Sequence, residues 1–119
     1  MKNIIFIFII IISLCINLYS QVPNNEAERK YTYGFRNYGR NEIKLAKEYW
    51  TDAINLDNKN TKFLYSRAYA SIKLNQYNEA IEDFTSFIEK DTNNIEAYFN
   101  RGIAYFNIDE YQNAINDWM

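Results

Sequence analysis

Residues 61–94 read TKFLYSRAYASIKLNQYNEAIEDFTSFIEKDTNN, and residues 95–119 read IEAYFNRGIAYFNIDEYQNAINDWM. Laid over one another with a shift of 34 and no gap, they agree at Arg67 and Arg101, Ala70 and Ala104, Tyr77 and Tyr111, Ala80 and Ala114, Ile81 and Ile115, and Asp83 and Asp117. Ala68 falls on Gly102, Leu74 on Ile108 and Phe84 on Trp118. A second shift of 34 brings residues 27–60 into looser register. Gly34 then falls on Ala68 and Gly102, Ala46 on Ala80 and Ala114, Trp50 on Phe84 and Trp118, and Asp57 and Asn60 on Asp91 and Asn94. A period held through three units marks a repeat architecture, in which each unit buries its apolar face against the next.

Each unit reads as two helices. In 78–90, Ala80, Ile81, Phe84, Phe87 and Ile88 are spaced i, i+1, i+4, i+7, i+8, which is one face of a helix. The preceding segment, 62–74, carries Leu64, Ala68, Ile72 and Leu74. The breaks fall at Asn75-Gln76 and Asp109-Glu110, and the polar junctions LDNKN (56–60) and KDTNN (90–94) suit helix ends and turns. Glycine costs about 1 kcal/mol in a helix interior relative to alanine, so Gly34 and Gly102 point to close helix contact. Gly34, Ala68 and Gly102 on the first helices are expected to face Ala46, Ala80 and Ala114 on the second. Trp50, Phe84 and Trp118 are then expected to fill the wedge to the next unit.

This pattern resembles the tetratricopeptide repeat family, with its period of 34 and its order of bulky, small and aromatic residues, then Ala, aromatic and Pro. The last unit matches at Tyr98, Gly102, Tyr105, Tyr111, Ala114 and Trp118, and the middle unit at Leu64, Ala68, Tyr77, Ala80 and Phe84. Ser71 replaces the aromatic and Thr92 the Pro, while the first unit has Lys30 at the bulky place and Asn37 at the aromatic one. A polar outer face suits a capping unit. The resemblance implies an all-α fold of antiparallel helix hairpins in a right-handed solenoid. Its units are a divergent repeat over 27–60, a second over 61–94 and an incomplete third over 95–119.

The resemblance also implies a concave groove on the first helices that receives a peptide or a partner helix. Its lining carries over to Tyr31, Phe35 and Tyr38, then Lys62, Tyr65, Ser66 and Tyr69, then Phe99, Asn100, Ile103 and Phe106. Such aromatics offer large contact areas to apolar or Pro-containing segments. The subset of the family that grips chaperone C-termini uses a clamp of Lys and Asn, then Asn, then Lys and Arg. The corresponding places hold Tyr31 and Phe35, Ser66, then Glu96 and Asn100. Only Asn100 offers a donor to a carboxylate and no cation is in place, so no such clamp is expected.

Comparison of the units raises one further expectation. The seventh and twenty-third places hold Arg67 with Asp83 and Arg101 with Asp117, but Tyr33 with Tyr49. Both members change together, so the two places should touch across each hairpin, twice as ion pairs and once as an aromatic contact.

Residues 1–20 read as a secretory signal peptide, followed by a short lead-in over 21–26. Lys2 precedes a thirteen-residue apolar run, Ile4 to Ile16, broken only by Ser13. As a helix that run spans about 20 Å, short of a bilayer core of about 30 Å. Polar residues Asn17, Ser20 and Gln21 follow, with Ser20 as the small residue before cleavage. Two other readings are an uncleaved anchor over 4–19 and a lipid-bearing Cys15. The chain carries a net charge of −2, which gives no basic footprint for nucleic acid or an anionic membrane surface, so membrane contact is expected only through the N-terminal segment if it stays uncleaved.

The chain has no His, which removes imidazole metal sites and Ser-His or Cys-His nucleophile pairs. Its 3 Gly are scattered, and Glu82-Asp83 reads as a solvated face. No catalytic residue, metal or cofactor is therefore expected. The sequence points to an exported, periplasmic or secreted, non-enzymatic protein-interaction scaffold. Alternatives are the N-terminal part of a larger envelope or secreted machine, and a membrane-tethered scaffold. A complete third unit needs about nine residues beyond Met119. Hence the readings of a fragment of a longer repeat protein, of an open end that self-associates, and of a short protein with a frayed end.

Overall fold

The computed structural model describes residues 1–21 and 25–119, and among them seven helices and no strand. Residues 22–24 of the expected lead-in lie outside the described residues. The first helix, α1, runs Lys2–Gln21 and leaves Ile4 through Ile12, Leu14, Ile16 and Leu18 exposed. Among the described residues no helix is long and apolar enough to cross a membrane. Six helices follow: α2 (Asn25–Gly39), α3 (Ile43–Leu56), α4 (Thr61–Lys73), α5 (Tyr77–Lys90), α6 (Ile95–Asn107) and α7 (Tyr111–Trp118). α2 starts inside the stretch read as lead-in, with Glu26 and Glu28 in its first turn, where the helix dipole favours carboxylates.

The helix ends obey the same period. Asn60 Oδ1 accepts from Lys62 N at 3.3 Å and Asn94 Oδ1 from Ala97 N at 2.9 Å, capping α4 and α6. Asn41, Asn75 and Asp109, each 34 apart, hold positive φ of 62°, 58° and 64°. After each, an N–H reaches back five residues: Glu42 to Asn37 O, Gln76 to Ser71 O and Glu110 to Tyr105 O, at 2.9, 2.8 and 3.0 Å. These are Schellman turns, with the left-handed place given to side chains that tolerate it.

α2 packs on α3, α4 on α5 and α6 on α7; α3 also packs on α4, and α5 on α6, so the hairpins stack in chain order. Ala68 and Ala80 share one buried cluster, and the two glycines meet a larger partner. A Cβ at Gly34 would lie 2.2 Å from Trp50 Nε1, and one at Gly102 2.3 Å from Trp118 Nε1. Each glycine therefore accommodates the tryptophan of its own hairpin more than the alanine of the second helix. Each indole is hydrogen-bonded to its first helix: Trp50 Nε1 donates to Tyr31 O at 3.1 Å and Trp118 Nε1 to Phe99 O at 3.2 Å. In the middle hairpin the smaller ring of Phe84 leaves room for Ala68, and both are fully buried. The wedge contact also forms: Trp50 clusters with Ala70 of the next hairpin, and Phe84 with Ala104. Trp118 is 44% exposed.

A second size exchange lies between hairpins. Ala53 of α3 packs with Phe63 of α4, while 34 residues on Phe87 of α5 packs with Ala97 of α6. The junctions keep one large and one small partner but swap their sides.

The seventh and twenty-third places do touch. Arg67 Nε and Nη2 donate to Asp83 at 2.7 and 2.8 Å, and Arg101 Nε and Nη2 to Asp117 at 2.8 and 2.7 Å. The Tyr33 and Tyr49 rings lie 5.6 Å apart. Each guanidinium also reaches back to the previous hairpin, Arg67 to Thr51 Oγ1 at 3.5 Å and Arg101 to Thr85 Oγ1 at 3.1 Å. The Asp83 hydrogen bond holds the Arg67 guanidinium charged above its already high range, and Asp117 does the same for Arg101.

Candidate functional site

The stack sets the first helices α2, α4 and α6 in a row, and side chains of one reach the next. Ser66 Oγ donates to Tyr31 Oη at 3.4 Å, and Asn100 Nδ2 to Tyr65 Oη at 3.2 Å, the same step taken twice along the row. The Tyr38 and Tyr69 rings lie 6.0 Å apart, and Lys62 Nζ lies 4.9 Å from the centre of the Tyr31 ring. The residues expected to line the groove thus form two tiers. Ser66 and Asn100 are buried and occupied with tyrosines. Tyr31, Tyr38, Tyr65, Tyr69 and Ile103 are half-buried, while Phe35, Phe99 and Phe106 stay at least half exposed.

Several tyrosines hold the stack together as well as facing outward. Tyr65 meets Phe84 and Phe87 edge-on at 5.5 and 5.2 Å, and Tyr31 lies 5.0 Å from Phe63. Burial, with a hydrogen bond to the Glu96 carboxylate second, pushes the Tyr65 phenol up to about 12. Burial and then the neighbouring Tyr69 raise the Tyr38 phenol.

The residues assigned to repeat packing divide in the same way. Ala46, Ala68, Ala80, Phe84 and Ala114 are fully buried. Tyr77 is half-buried with its Oη 2.8 Å from Asn75 Oδ1, and Tyr111 is exposed with its Oη 2.6 Å from Asp109 Oδ1. Each tyrosine hydroxyl thus braces the turn just before its own helix. Among the described residues no group of His, Cys, Asp and Glu is placed to hold a metal ion.

The second place of each unit holds residues that lining positions alone did not single out. Glu28, Lys62 and Glu96 alternate in sign along the row, 34 residues apart. Lys62 Nζ pairs with Glu28 at 2.7 Å. Glu96 is exposed and, among the described residues, has no lysine or arginine in ion-pair contact. The alternation is legible once the units are aligned. Asn100, the one clamp-like donor, is turned to Tyr65, and a carboxylate stands where that clamp needs a cation.

Residues 68–109 match the family model described as TPR repeat. Among solved structures, the chain is similar to the TPR domain of Arabidopsis OM64, at 28% identity and a TM-score of 0.74, covering 78% of this chain and 77% of that one. It is similar at 28% identity and TM-score 0.74 to the TPR2B domain of yeast Sti1, solved as a complex with pHsp70, covering 79% and 75% of the two chains. It is also similar to the second TPR domain of human RPAP3, solved in complex with the HSP70 peptide SGPTIEEVD, at 27% identity and TM-score 0.74, covering 80% and 79%. No curated protein matches the chain. The helical body has the fold of these tetratricopeptide-repeat domains, and residues 68–109 carry the repeat itself.

Proposed function

We propose that this chain is an exported, non-enzymatic scaffold that holds a peptide or a partner helix along the row α2, α4 and α6. The observation that carries the reading is the exposure of Phe35, Phe99 and Phe106 along a row otherwise braced by its own tyrosines. Aromatic side chains left in water on a rigid surface favour partner contact over further packing. Solved relatives of the same fold, human RPAP3 among them, hold peptides. A C-terminus ending EEVD, like that peptide, is not the favoured ligand here, because the place of a clamp cation is held by Glu96. Capture of partners by the full chain from its own cells tests the scaffold reading. Phe35→Ala together with Phe106→Ala should abolish capture while helicity is unchanged, and undiminished capture would move the site off this row. Intact mass of the native protein tests export, since cleavage after Ser20 removes the first 20 residues.

A further inference from the structure

Resting on the groove reading above, we infer that α6 selects a cationic segment: an extended peptide with a Lys or Arg side chain for Glu96 and a bulky apolar side chain for Phe106. The charge balance of the row carries this. α6 bears two charged residues, Glu96 and Arg101, and Arg101 is held in two hydrogen bonds by Asp117. On α4, Lys62 is neutralised by Glu28, and Lys73 lies 5.5 Å from the Tyr69 ring centre. The α6 surface therefore presents one exposed carboxylate that, among the described residues, makes no ion pair, while Lys62 one repeat step away is held by Glu28.

The same surface fixes the spacing. Glu96, Phe99, Ile103 and Phe106 recur at three- and four-residue steps and share one face of α6. Ten residues of helix separate Glu96 from Phe106, about 15 Å. An extended segment covers that distance in about four to five residues. The ligand class is therefore a short segment with its cation and its apolar anchor that far apart. An acidic tail meets like charge at Glu96 and an exposed ring at Phe99, and is disfavoured.

The test is a display library of random decapeptides with both ends blocked, selected on the full chain in parallel with its Glu96→Lys and Glu96→Gln variants. Wild type should enrich segments carrying Lys or Arg about four to five positions from Phe, Leu or Trp. Synthetic copies should bind about two- to fivefold more tightly than their norleucine twins, the size of an exposed ion pair, and lose that margin in high salt. Glu96→Gln should remove the preference and Glu96→Lys should reverse it to acidic segments. Apolar segments enriched without a charge preference, or a Lys preference that survives in Glu96→Gln, would overturn the charge selection and leave the groove standing. No enriched segment of any kind would overturn the groove reading as well. Circular dichroism of both variants separates lost selection from lost folding.

Discussion

Gly34 and Gly102 lie under chemically identical rings in unequal surroundings. Trp50 is 1% exposed and Trp118 is 44% exposed, so only the second indole has room to swing aside. Gly34→Ala should therefore cost about 2–3 kcal/mol in urea unfolding, the range of an overpacked core, and Gly102→Ala under about 1 kcal/mol. Adding Trp50→Phe to Gly34→Ala copies the Ala68 and Phe84 arrangement and should recover much of the loss. Equal costs at both glycines would refute the ring explanation. Tyr65 gives a pH signature. Its folded-state pKa, pushed up to about 12 by burial, lies above the value of about 10 in the unfolded chain. The folded chain then holds the proton longer, so its contribution is complete below pH 10 and is lost as pH rises towards 12. Tyr65→Phe should flatten the stability profile in that window, and an unchanged slope would count against it. The glycines were legible in the sequence as signs of close contact, but their partner was not. The register compares like places between units, whereas Gly34 and Trp50 are different places that meet within one.

At the scale of helices, the junctions between hairpins decide stability more than the helices themselves, which are 8 to 15 residues long in the repeats and marginal alone. Phe63 is fully buried at the first junction, opposite Ala53. Phe63→Ala should cost about 3–5 kcal/mol, the usual loss for a truncated core phenylalanine. The double change Ala53→Phe with Phe63→Ala copies Phe87 and Ala97 and should return a good part of it. A double variant no more stable than the single one would show that the two junctions are not equivalent. The paired change at the seventh and twenty-third places was visible because both members differ in one unit only. The exchange of Ala53 and Phe63 was present in the same alignment, but it spans two units and is hidden when each unit is read alone. The Schellman turns were half visible: the breaks at Asn75 and Asp109 could be located, while the left-handed backbone that repeats at Asn41 depends on φ, which no pattern of hydrophobicity carries.

Across the whole molecule, the two tryptophans report on the first and third hairpins. Stability in such arrays is a sum of unit and neighbour terms, so a hairpin whose ring is packed on its neighbour outlasts one whose ring is exposed. With Trp50 packed against Ala70 and Trp118 exposed, acrylamide should quench Trp118 far more than Trp50. Single-tryptophan variants should then show the Trp118 signal changing at lower urea than Trp50; coincident curves would mean that the array unfolds as one unit. The order of the hairpins follows from the alternating sizes at their junctions. Loss by slippage of the 34 codons for residues 61–94 would preserve the reading frame and the helix register. It would nonetheless set Ala53 against Ala97 and open a hole, whereas duplicating the same codons would force Phe87 against a second Phe63. Whether a unit can be gained or lost without a compensating point change is thus decided by the breakpoint: loss or duplication of the codons for residues 64–97 keeps a large residue opposite a small one at every junction.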